Sequence, residues 1–222
     1  MVLGRMANPV LRRRNRGFAA TRQEIISVAR DIMREEGAGA LSLHEVARRV
    51  GMKAPSLYTY FESKHALYDE IFRLGMEQYR AELAELDRKY GLGPELLYAT
   101  IAHYMRFADE HPELYALLFE RPVPGFEPSE ASMVEARGLL EDSNARVQAL
   151  LENGTIRSGL SVEQTRDVVI VLTHGLTALK RANEPSARIG EGRFGALVPH
   201  VAALLKTAWM PGENPVSREE PS

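Results

Sequence analysis

Apolar residues recur every three to four positions along almost the whole chain, and no run alternates between hairpin turns. The pattern predicts an all-α fold. Thr21-Arg-Gln-Glu24 is a capping-box sequence opening a helix with Ile25, Val28, Ala29, Ile32 and Met33 on one face. Gly37 and Gly39 close it. Ser42-Leu-His-Glu45 repeats the signal for a short helix with Leu43, Val46, Ala47 and Val50 inward, ended by Gly51. A third short helix begins near Ala54-Pro55, where proline is tolerated in the first turn. Ser63 then caps a fourth helix reaching about Tyr90, roughly 40 Å long at 1.5 Å per residue.

Gly91-Leu-Gly93-Pro94 interrupts the chain, and Pro94 starts a helix toward Glu110. His111-Pro112 restarts it through Phe119. Arg121 to Pro128 reads as a loop, because three prolines and a glycine fall within eight residues. Later helices are predicted over 129–152, 161–182 and 193–209. In the last, Phe194, Leu197, Val198, Val201, Leu204 and Leu205 keep the period across Pro199. That favours one kinked or late-starting helix over two elements. Residues 211–222 are expected to be a disordered tail.

Composition narrows the classes. The 222 residues leave room for one or two compact units, and the absence of cysteine excludes disulfides, thiolate zinc sites and a cysteine nucleophile. The longest aliphatic run, Val168 to Leu172, is far too short to span a membrane, and the N-terminus reads as no signal peptide. A cytoplasmic location is expected. The net charge of −2 conceals an asymmetry: residues 1–64 hold 12 Lys/Arg against 6 Asp/Glu, or +6, and the remainder is −8. Arg5, Arg12, Arg13, Arg14 and Arg16 crowd the first 17 residues, an expected basic flexible arm. A basic end on an acidic body suits a polyanion partner; a solvated, solubilising tail is the alternative.

The two short helices around Gly51 have the spacing of a helix-turn-helix. Ala47 permits close crossing, Gly51 permits a positive φ, and Val46, Val50, Met52 and Leu57 form the apolar wedge. Its second helix would lie in a major groove; a plain αα-hairpin is the alternative. The stretch Gly51-Met-Lys-Ala-Pro-Ser-Leu-Tyr-Thr-Tyr-Phe-Glu-Ser-Lys-His-Ala-Leu67, with the helices before it, resembles the N-terminal domain of TetR-type (tetracycline repressor-like) regulators. The likeness covers residues 18–67. His111-Pro-Glu-Leu-Tyr115 and Thr173-His174-Gly175 resemble one group of that family's C-terminal domains.

The resemblance implies a three-helix DNA-binding domain over 18–64 and an effector-binding and dimerisation domain over 65–210, about nine helices in all. It implies a homodimeric repressor on a double-stranded DNA operator, released by a small, largely apolar effector, with no cofactor and no enzymatic activity. Ser42 would cap the second helix and touch a phosphate. Ala54, Pro55, Ser56 and Thr59 would face the groove, Tyr58 and Tyr60 the backbone, and Lys64 a phosphate. Lys53 departs from the Ser or Thr usual in the family. It forgoes a cap of about 1 kcal/mol and is a candidate for altered operator preference. Arg12, Arg13, Arg14 and Arg16 would reach phosphates or a minor groove.

Gly190-Glu-Gly192-Arg-Phe-Gly195 spells a dinucleotide fingerprint, but no strand precedes it and Pro185-Ser186 make the approach a loop. His103 and His111, eight apart, do not match a metal-ligand turn, so no metal is expected. Tyr98, Tyr104, Phe107, Tyr115 and Phe119 recur at roughly helical spacing. They read as ordinary core or as the lining of an effector cavity, with His103 or His174 as its polar group. Val168 to Leu172 is apolar around the full helix, so more than one face must be covered. Val168, Val169, Leu172, Leu176 and Leu179, with Val201, Leu204 and Leu205, are the expected two-fold dimer interface.

Overall fold

The computed structural model describes residues 9–210, with side chains described from residue 17 onward. Every regular element among the described residues is helical. They are α1 (Pro9–Glu36), α2 (Leu43–Val50), α3 (Ala54–Leu57), α4 (Lys64–Tyr90), α5 (Glu95–Glu110), α6 (Pro112–Tyr115), α7 (Glu130–Glu152), α8 (Val162–Asn183), α9 (Gly192–Gly195) and α10 (Val198–Trp209). A 3₁₀ turn (Ala38–Ala40) precedes α2, and a π-helical turn (Ala116–Glu120) continues α6.

Three local expectations need correction. The backbone of the arginine-rich arm is helical from Pro9, so Thr21 sits inside α1 and its hydroxyl donates back to Gly17 O at 3.0 Å. A proline tolerated in a first turn, followed by arginines of good helix propensity, outweighs the capping-box signal. Ser42 is the N-cap of α2 but makes no side-chain cap bond. Glu45 is drawn instead to Arg48 and Arg49, so the box stays open. Pro199 falls near the start of α10, and residues 192–195 form the separate element α9. A true capping box does form at α8, where Ser161 and Gln164 bond each other's backbone N–H groups. Residues 211–222 lie outside the described residues.

The chain forms two packing units whose division does not follow a single cut. One comprises the residues up to Gly75 plus Pro112–Ser132; the other comprises Met76–His111 and the chain from Met133. In the first unit, Ile25, Ala29, Ile32, Val46, Leu57 and Leu67 are fully buried. Each large aliphatic among them contributes roughly 1.5–3 kcal/mol of burial. Tyr68 donates its hydroxyl to Ala38 O at 2.6 Å, and Gly75 admits Leu114 and Leu118 where a Cβ would meet Leu114 at 3.1 Å. In the second unit, Ile101, Ala102 and Met105 of α5 pack on Leu176 of α8 and on Val198, Ala202 and Leu205 of α10. Lys180, fully buried, binds both carboxylate oxygens of Asp109 at 2.8 and 2.9 Å. The 23-residue α7 has no buried apolar side chain among its described residues, only Ser132 and Gly138. It is tied by Arg80 to Asp142 and Glu135, by Arg146 to Asp87, and by Arg166 to Asn144.

Candidate nucleic-acid interface and sensing unit

The turn between α2 and α3 is built as the spacing requires. Gly51 adopts φ 78°, and its N–H reaches the carbonyls of Ala47 and Arg48. Met52 N–H closes on Ala47 O at 2.9 Å. Lys53 stands at the N-cap of α3 with no side-chain cap bond, and Pro55 occupies the first turn. The helix then tightens: Thr59 N–H bonds Ser56 O, and Tyr60 N–H bonds Leu57 O. Leu57 is the buried anchor, and from this base Lys53, Pro55, Ser56, Tyr58 (55% exposed) and Thr59 project outward. Ala54, Tyr60 and Lys64 are half-buried, and Ser42 is exposed.

Neighbours missing from the sequence reading hold this surface. Tyr60 stacks on Phe18 of α1 at 4.7 Å between ring centres. The Arg22 guanidinium lies 4.6 Å over the Phe61 ring and donates to Glu70 at 2.7 Å. Arg48 and Arg49 hold the Glu45 carboxyl down to about 2. The side chains of Arg12, Arg13, Arg14 and Arg16 lie outside the described residues; their backbone belongs to α1.

Dividing the charge by packing alters the electrostatic picture. The first unit holds 14 Lys/Arg against 12 Asp/Glu, a net of +2, and the second 14 against 18, a net of −4. The +6 of residues 1–64 is thus partly cancelled inside its own unit. Glu70 takes Arg22 and Arg73, and Glu113 takes Arg30 and Arg34.

The expected effector residues divide between the units. His103, Tyr104 and Phe107 cluster around Tyr79, at 5.6, 6.0 and 4.9 Å between ring centres. Tyr104 Oη is 2.7 Å from His174 Nδ1. Burial lowers the pKa of His103, opposed by nearby Glu82. Tyr115 and Phe119 belong to the first unit, with rings 5.7 Å apart, and Tyr98 is largely exposed. A separate cleft of about 440 Å³ lies between the C-terminal half of α4 and α7, lined by Leu83, Ala84, Leu92, Leu139, Arg80 and Arg146. None of the predicted effector residues lines it. Beside Leu139, a Cβ at Gly138 would come within 2.4 Å of the Arg80 guanidinium.

The expected dimer row also divides. Leu176 and Leu205 point into the chain's own core, a correction that follows from the facing α5 residues Ile101, Ala102 and Met105. Val168, Val169 and Val201 are half-buried beside that core. Val171, Leu172 and Leu179 of α8 and Leu204 of α10 (70% exposed) form the outward apolar face. The glycine fingerprint is an internal turn. The Glu184 carboxylate accepts the N–H groups of Arg193 and Phe194 at 2.7 and 3.0 Å, filling the place a phosphate would need. No helix among the described residues is long and apolar enough to cross a membrane.

Residues 25–71 match the sequence profile of the bacterial regulatory proteins of the tetR family. The HTH-type transcriptional regulator AcrR of Shigella flexneri is 31% identical over 70 residues, 32% of this chain and 31% of that protein. The HTH-type transcriptional activator FasR of Mycolicibacterium smegmatis is 23% identical over 151 residues, 68% of this chain and 66% of that protein. The chain therefore spans less than two thirds of either relative's length. The transcriptional regulator FadR of Bacillus subtilis, solved in complex with stearoyl-CoA, shares the fold with a TM-score of 0.68 and 19% identity, covering 84% of this chain and 98% of that one. The helix-turn-helix thus lies within the stretch that matches the tetR family of bacterial regulatory proteins, and the chain as a whole shares the all-helical fold of FadR.

Proposed function

We propose that the chain binds a pseudo-palindromic operator as a homodimer, acts as a repressor, and is released by a small, largely apolar effector held by the second unit. The observation that carries this reading is the exposed row Lys53, Pro55, Ser56, Tyr58 and Thr59 on a turn anchored by buried Leu57. Ala54, Pro55, Ser56 and Thr59 read base edges; Ser42, Tyr58, Tyr60 and Lys64 take the backbone. Lys53 reaches a phosphate or a guanine edge. Arg12, Arg13, Arg14 and Arg16 add phosphate or minor-groove contacts along the α1 extension.

Val171, Leu172, Leu179 and Leu204 supply the apolar face for a second copy, α8 and α10 of each forming a four-helix seam. The aromatic cluster of Tyr79, His103, Tyr104 and Phe107 with His174 supports an effector of apolar body and polar end. The FadR complex with stearoyl-CoA supports an apolar ligand for this fold. Binding of chromosomal DNA goes with a cytoplasmic location.

A footprint on the DNA flanking the chain's own gene tests the reading. The expected result is two protected half-sites about one helical turn apart, roughly 34 Å. No protection at moderate salt overturns it.

A further inference from the structure

The cleft between the C-terminal half of α4 and α7 lies within the second unit and is bridged at two points by reciprocal ion pairs. Arg80 of α4 reaches Asp142 of α7, and Arg146 of α7 reaches Asp87 of α4. Leu83, Ala84, Leu92 and Leu139 supply its apolar lining. Its volume of about 440 Å³ falls within the range of about 300–1,000 Å³ usual for small-molecule sites.

The two bridges are not equivalent. Arg80 and Asp142 are both open to solvent, with side chains 35% and 49% exposed, so their attraction is weak. Arg146 is only 14% exposed, whereas its partner Asp87 is 37% exposed. The Arg146 guanidinium donates from Nε and Nη2 to the two Asp87 oxygens at 2.7 and 2.6 Å. Its Nη1 has no hydrogen-bond partner among the described residues. A cation this buried requires an anion beside it, but its chemistry does not require that the anion be Asp87. The aspartate can turn to water at little cost, and the arginine cannot follow it. The cleft therefore holds one fixed cation and one replaceable carboxylate.

That cation also stands within electrostatic reach of the aromatic cluster. Burial raises the pKa of the Tyr79 hydroxyl, and the charge of Arg146 opposes the rise. Leu83 of the cleft lies one helical turn from Tyr79, and both are buried on the same stripe of α4. Tyr79 in turn packs against His103, Tyr104 and Phe107. An apolar body extending from Arg146 along this stripe passes from leucine to aromatic rings.

We propose that the cleft between α4 and α7 is the mouth of the second unit's ligand site, and that Arg146 receives there the carboxylate of an amphipathic monoanion, in the place Asp87 holds in the free protein. The apolar body of that ligand lies over Leu83 and Leu139 toward Tyr79. The proposal rests on the reading above that the second unit holds a small, largely apolar effector, and it names the effector's polar end.

The test titrates the full chain calorimetrically with decanoate, decanol and decylamine, which share one apolar chain and differ in the polar end. Decanoate is expected to bind about tenfold or more tighter than decanol, as a charge-assisted hydrogen bond to a buried arginine allows, and decylamine is expected to bind weakest. Arg146→Gln removes the preference for decanoate and leaves decanol affinity within about twofold. Asp87→Asn has the opposite sign: with the competing carboxylate gone, decanoate binds about threefold or more tighter. The Tm of Asp87→Asn, lowered by the uncompensated arginine, rises again when decanoate is added. A bridge that only stabilises the fold would lower Tm in both variants and leave the order of the three ligands unchanged; that result overturns the proposal. So do equal affinities for decanoate and decanol in wild type, a preference for decylamine, and no binding of decanoate. Should Arg146→Gln fail to fold, the ligand order in wild type and the gain in Asp87→Asn decide. Decanoate binding in this pattern by a chain that gives no operator footprint removes the regulator reading and keeps the site. A footprint without any preference for decanoate removes the site and keeps the regulator reading.

Discussion

The two packing units bury different polar groups. In the first, the Tyr68 hydroxyl ends on a carbonyl and the Glu113 carboxylate on two guanidinium groups. In the second, the hydroxyls of Thr173 and Thr177 and Nε2 of His103 are buried without a hydrogen-bond partner, although Glu82 comes within 3.4 Å of the last. A buried polar group left unpaired costs roughly 1–3 kcal/mol. Within the second unit the helices also differ: α5 buries nine residues, whereas α7 is held by long polar cross-links. The first unit is interlocked by buried apolar side chains, whereas the second keeps one wall, α7, that buries no apolar side chain among its described residues.

The largest expected effect is at the second unit's buried cation. Asp109→Ala strips Lys180 of its carboxylate and should cost roughly 3–5 kcal/mol in urea unfolding. A loss below about 1 kcal/mol would mean the pair is solvated and the second unit softer than described. Next, Leu57→Ala should cost about 2–5 kcal/mol through a cavity in the head, and Leu139→Ala on α7 less than half as much. Equal losses would abolish the contrast between an interlocked head and a loosely held wall.

A smaller effect of opposite sign tests the unpaired hydroxyls. Thr177→Val should stabilise by about 1 kcal/mol, since it removes a hydroxyl without a partner. Thr165→Val should destabilise by a similar amount, because that hydroxyl bonds Ser161 O at 2.8 Å and Ser158 at 2.7 Å. Destabilisation by both would show that Thr177 is satisfied in solution.

The smallest effect is on pH dependence. Burial holds the pKa of His103 below the histidine value of 6.5, so below pH 6.5 the unfolded chain binds the additional proton first. Stability from this group is complete above pH 6.5 and is lost as pH falls toward the depressed folded value. Glu45 in the head, held at about 2 by Arg48 and Arg49, keeps its contribution above about 4.5 and loses it only as pH falls through about 2. Tm measured from pH 7 to 5 should therefore fall less steeply for His103→Phe than for wild type. Parallel curves would show that His103 is not titrating in that range.

Much of the reading head was legible because its signals are local. Gly51 at positive φ, the uncapped Lys53, Pro55 in a first turn and Ser63 as a cap (its hydroxyl accepting the Ala66 N–H at 3.0 Å) each depend on a few neighbours. The capping-box letters at Thr21 and Ser42 misled for a related reason. A motif states what a side chain can bond, and a stronger competitor nearby, helical continuation in one case and two arginines in the other, decides what it does bond. The second unit was legible as helices but not as faces, since an all-round apolar run such as 168–172 does not say which side meets α5.

The sequence alone therefore determined the helical periodicity, the helix-turn-helix spacing, the likeness of the N-terminal stretch to the tetR family and the basic character of the N-terminal end, all carried by residues within a turn or two of one another. Tertiary structure alone decided that Leu176 and Leu205 face inward while Leu172, Leu179 and Leu204 face out, and that the glycine fingerprint closes on Glu184. It also decided that residues 112–132 belong with the head, where Glu113 cancels charge that the sequence assigned to DNA. The reason is distance along the chain: Arg30 and Glu113 are 83 residues apart, and no local pattern can announce a pairing that only folding brings within hydrogen-bond reach.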